Sequence, residues 1–158
     1  MARSTARYAE NTEVPAGRSR DEIERALARY GATSFAYGWN GALVQVGFEL
    51  EGRQILFRVP MPRPGDDAFV WTPTRQLRSD AAAQREYEKA VRQRWRALAL
   101  VIKAKLEAVA AGITTVEEEF LAHIVLPSGD TFGQWAAPQL ARVYAANEMP
   151  ALMPGGSS

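Results

Sequence analysis

The 158-residue chain has no cysteine, which excludes disulfides, thiolate metal sites and cysteine nucleophiles together. It has one histidine, His123, so no multi-histidine metal centre can be assembled. No apolar run approaches the roughly 20 residues that span a bilayer. The N-terminal stretch MARSTARYAENTEV is polar and lacks a secretory core. These absences lead to the expectation of a cytoplasmic protein with no membrane partner. Gly38, Gly41 and Gly47 lie in a hairpin pattern rather than between a strand and a helix, so no phosphate loop or dinucleotide fingerprint is present. No serine elbow is found either. The expectation is therefore a chain that is not an enzyme, with no catalytic residues, no cofactor and no metal.

The residues present describe one ordinary domain, 47% hydrophobic and 23% charged. At this length about two-thirds of the unfolded surface can be buried. The net charge of +1 conceals a dipolar chain. Residues 1–74 hold nine basic and nine acidic side chains, 75–105 nine basic and three acidic, and 106–158 one basic and six acidic. Proline and glycine gather at 60–73 and again at 150–158. The expected division is an arm over 1–18, a single α+β domain over 19–147 and a flexible tail over 148–158.

Ser19 and Glu22 fit a capping box, with Ile23, Ala26, Leu27 and Tyr30 succeeding them at helical spacing. A short helix over about 20–30 is predicted. Asn40-Gly41 and Glu51-Gly52 then read as two-residue hairpin turns. Under that reading Tyr37 pairs with Val44 and Phe35 with Val46, leaving Trp39 opposite Ala42. The second turn pairs Phe48 with Ile55, Val46 with Phe57 and Val44 with Val59. Both turns place their apolar side chains on one face of a three-stranded antiparallel meander.

A helix capped by Ser79 or Asp80 should run to Ala111 and cover that face. Tyr87, Val91, Trp95, Leu98, Ile102, Leu106 and Val109 fall in one band about 100° wide. Arg85, Lys89, Arg92, Arg96 and Lys103 fall within about 60° of one another on an adjoining band. The basic stripe spans roughly 27 Å. It reads either as a track for a phosphate backbone or as a solvated helix face balanced by the acidic C-terminal third. From Leu98 onward the helix is apolar nearly all round, so this half should be buried against the last segment.

The C-terminal region should be small and mostly helical. Thr115 and Glu118 fit a capping box, His123–Leu126 reads as a short strand, and Thr131 with Gln134 suits a helix start. Pro138 should divide the last helical stretch into one turn and a helix over about 138–147, packed through Leu140, Val143 and Tyr144. Glu119 and His123, four apart, form a candidate carboxylate–imidazole pair, against which stands a hydrogen-bonded structural histidine. Trp39 and Trp71 are candidate base-stacking residues, although Trp39 fits a core position and Trp71 a fourth strand. An apolar surface around Leu43, Leu56, Met61 and Trp71 would instead suit a protein partner.

The stretches YGWNGALVQVGFELEGRQILFRVPMP and RQRWRALALVIKAKLEAVAAGITTVEEEFLAHIVLP resemble small uncharacterised proteins of tailed phages and prophages. The resemblance implies a bacterial host cytoplasm and partners that are nucleic acid or a host or phage protein. It brings no activity and no site residues. The order helix–three strands–helix is also similar to double-stranded-RNA-binding domains, but the second helix here is about twice theirs. A meander with a long helix after it resembles the single-strand annealing fold of recombination proteins. Together these readings lead to the expectation of an accessory protein contacting nucleic acid, with a single strand as the candidate form, through Arg85, Lys89, Arg92, Arg96 and Lys103.

Overall fold

The computed structural model describes residues 2–149, with side chains from residue 16 onward. The chain begins with helix α1 (Ala2–Arg29). Strands β1 (Ser34–Asn40), β2 (Leu43–Leu50) and β3 (Arg53–Pro60) form an antiparallel sheet in the order β1-β2-β3. A short helix α2 (Asp67–Val70) precedes the long helix α3 (Asp80–Ala110). Helix α4 (Val116–Glu119), a 3-10 turn (Leu121–His123) and helix α5 (Phe132–Ala146) complete the architecture. The class is α+β, as its patterning indicates.

Even-numbered residues of β2 are buried, and Val44, Val46, Phe48 and Leu50 meet Ile55 and Phe57 of β3 in one layer. Helix α3 adds Tyr87, Val91, Trp95, Leu98, Ile102 and Leu106, the predicted band. Helix α1 packs beside α3 and contributes Ile23, Ala26 and Leu27 to the same cluster. Each such Val, Leu, Ile or Phe side chain, removed from water, supplies about 1.5–3 kcal/mol. Ser79 caps α3 by accepting from the Ala82 amide, and Gly112 comes after its C-cap in left-handed conformation.

The second hairpin has the predicted register, with Leu50 opposite Arg53. Positive φ at both Glu51 and Gly52 marks its turn as type I′. In the first hairpin the loop residues are Gly41 and Ala42, not Asn40 and Gly41. Tyr37 therefore pairs with Val46, Phe35 with Phe48 and Trp39 with Val44. Only Gly41 has positive φ, the signature of a type II′ turn, so Asn40 is free to remain in the strand. Moving the turn by one residue shifts the pairing by two, which preserves the face of every side chain.

Other expectations are corrected. The first helix does not start at Ser19, because the chain is already helical from Ala2 and the amides near Ser19 have partners one turn back. The second half of α3 is not enclosed: Leu100 and Val101 are exposed, and α5 packs on the 121–123 turn instead. His123 belongs to that turn rather than to a strand. Ile124 bridges Ile55, and the Val125 amide donates to the Gln54 carbonyl at 2.8 Å. Pro138 lies inside a continuous α5. Its missing amide is tolerated because the helix is solvated there, leaving the Gln134 carbonyl open to water. Leu140 and Tyr144 are exposed rather than packed, and α5 has no buried residue. Met61 is buried, so it cannot belong to an apolar surface patch. Trp71 forms an isolated bridge with Leu77 instead of a fourth strand. Of the expected tail, 150–158 lies outside the described residues. Among the described residues, no helix is long and apolar enough to cross a membrane.

Candidate functional site

The side chains of α3 alternate between two environments set by its 3.6-residue period. Burying Val91, Trp95 and Ile102 turns the adjoining band outward, where Arg85, Arg92, Arg96 and Lys103 are exposed and Lys89 is likewise accessible. Four of them, Lys89, Arg92, Arg96 and Lys103, line a groove of about 570 Å³ between α3 and α1. Helix α1 adds Arg18, Ser19 and Glu22, so among the described residues five cations face one carboxylate. Arg85 does not line the groove but extends the stripe toward the start of α3.

The acidic C-terminal third does not neutralise this stripe. Glu117 pairs with Arg53 at 2.6 Å, and Glu119 with Lys105 at 3.1 Å. Glu118 accepts from the Thr114 hydroxyl. Glu107 accepts from the Tyr30 hydroxyl, a bond that raises the phenol above its ordinary pKa. Within the groove, Lys103 lies 3.9 Å from Glu22. Among the described residues, Arg18, Arg85, Lys89, Arg92 and Arg96 have no ion pair or side-chain hydrogen bond. Like charges held side by side without counter-ions repel, and an anion entering the groove relieves that repulsion.

Arg18 was not legible from the sequence. Its position in the stripe depends on which face α1 turns toward α3, and only packing fixes that. Arg20 is directed elsewhere: its guanidinium donates to the Tyr37 hydroxyl and lies 4.4 Å from the Tyr37 ring centroid. Arg94 donates to the Pro60 carbonyl at 2.8 Å, which ties α3 to the end of β3.

The Glu119–His123 pair is not assembled, because Glu119 engages Lys105. The His123 ring instead stacks on Phe57, with centroids 3.9 Å apart. Burial, reinforced by the Lys105 charge, lowers its pKa below the ordinary imidazole value, and a hydrogen bond with the Leu56 backbone partly opposes this. No group of three or more metal-ligating side chains occurs among the described residues. Trp39 lies on the apolar face yet is 39% exposed at the sheet margin, and Trp71 is 42% exposed. No protein-family model, curated protein or solved structure matches the chain.

Proposed function

We propose that this chain is a non-enzymatic accessory protein of a phage or prophage, acting in a bacterial cytoplasm, that binds the sugar–phosphate backbone of nucleic acid along the α1–α3 groove. The observation that carries this reading is the set of five cations that, among the described residues, face a single carboxylate. Guanidinium and ammonium groups spaced along a helix suit a linear polyanion, and each neutralised phosphate releases counter-ions. Five phosphate contacts correspond to a slope of about −3.5 for log affinity against log salt on single strands, and about −4.5 on duplex.

Fluorescence anisotropy with labelled single- and double-stranded oligonucleotides, titrated across salt, tests the proposal. Binding should weaken steeply with salt, and the Lys89→Glu/Arg92→Glu/Arg96→Glu variant should lose it. Absence of binding at low salt, or binding indifferent to the three reversals, overturns it.

A second reading is a protein-interaction module, favoured by α5. That helix exposes Trp135, Leu140 and Tyr144, the last 80% accessible. On this reading a defined host or phage protein binds the wild type and not a Trp135→Ser/Leu140→Ser/Tyr144→Ser variant, while oligonucleotide affinity is the same for both.

A further inference from the structure

The segment between β3 and α3 is an ordered cradle. Phe69 of α2 is buried against Tyr87, their ring centroids 5.9 Å apart, which fastens the segment to α3. The Arg78 Nη1 atom donates to the carbonyls of Ala68, Phe69 and Trp71 at 2.8, 3.2 and 2.8 Å. The Thr72 amide donates to the Gln76 carbonyl at 2.8 Å, and the Gln76 amide returns to Thr72 Oγ1 at 2.9 Å. This loop holds Arg75 at φ 64°, a conformation that L side chains rarely adopt.

The cradle borders an open cleft of about 490 Å³ lined by Asp67, Trp71, Thr72, Arg75 and Arg78, a size that suits a small ligand. Trp71, 42% exposed, supplies an aromatic ring. Arg75 is an exposed cation and Asp67 an exposed carboxylate, neither in an ion pair among the described residues. An aromatic plane, a cation and an acceptor are the groups that bind a nucleotide: the base stacks, its phosphate meets the cation and its edge N–H donates. The pocket also lies near the N-terminal end of α3, the helix that carries the basic stripe. Arg78 precedes the α3 cap Ser79, and Arg85 comes six residues after that cap, about 9 Å along the helix.

We propose that this pocket receives one unpaired base of a nucleic-acid strand whose phosphates run along Arg85 and the α1–α3 groove. The inference rests on the nucleic-acid reading and adds a preference to it. A base inside a duplex is stacked on both sides and cannot reach Trp71, so the cradle selects single-stranded segments. All four bases carry an N–H on the pairing edge or an equivalent polar group, so sequence preference should be weak.

The test uses the full chain with a mixed-sequence single strand and its blunt duplex. Trp71→Ala should weaken single-strand binding about tenfold or more and leave duplex binding within about twofold. Trp71→Phe, which keeps a ring, should restore most of the loss. If Trp71→Ala changes both affinities alike, or neither, the base pocket is overturned while the groove stands. If the wild type binds neither oligonucleotide at low salt, the groove reading fails and the pocket falls with it.

Discussion

His123 illustrates how a chemically versatile side chain can be committed to packing. Its ring is stacked against Phe57 and placed near the Lys105 ammonium, so adding a proton is unfavourable in the folded chain. In the unfolded chain the imidazole titrates near its ordinary value of 6.5, above the folded one. Between the two values the unfolded state binds more protons, so stability falls as the pH drops through this window. Above it the imidazole is neutral in both states and contributes no pH dependence. Denaturant unfolding at about pH 7.5 and about pH 5 should therefore show a larger stability loss for the wild type than for His123→Gln. Equal losses would mean that His123 titrates normally. The sequence left two roles open for this histidine. The choice was settled by Lys105, a residue 18 positions earlier that captures Glu119.

At the scale of elements, the close approach of α5 to the 121–123 turn depends on Gly133. A β-carbon there would lie 2.8 Å from the Ala122 carbonyl oxygen, which is backbone and cannot rotate away. Gly133→Ala should displace α5 and shift the NMR resonances of 121–147, while those of β1–β3 and α3 stay in place. Retention of the wild-type pattern would show that the turn can yield. Elements with regular periodicity were legible in the chain: β2 through its alternation, α3 through its buried band and Ser79, and α5 through the Thr131–Gln134 capping box. What escaped depended on near-equal local alternatives. Asn40-Gly41 and Gly41-Ala42 both satisfy a two-residue turn, and the apolar pattern cannot separate them because they preserve the same faces. Ser19-Glu22 fits a cap as well as it fits the middle of a helix. In the candidate site, the α3 cations are set by 100° steps along one helix, whereas Arg18 required knowledge of its neighbour.

For the whole molecule, the tryptophans report two regimes. Trp95 is enclosed by the sheet and helices, with its ring edge-on to Tyr37 at 6.4 Å. Trp135 is more than half exposed and packs on Phe132 of its own helix. Trp95→Ala should lower the unfolding free energy by about 3–5 kcal/mol, whereas Trp135→Ala should change it by no more than about 0.5 kcal/mol. Urea denaturation curves of both variants check this contrast, and similar midpoints would contradict it. The outlying position of α5 also has a dynamic consequence. Because none of its side chains is locked into the interior, its amides can exchange with deuterium through local fraying, long before the sheet opens. A protease should accordingly nick the chain near α5 first and leave the α1–β–α3 assembly folded.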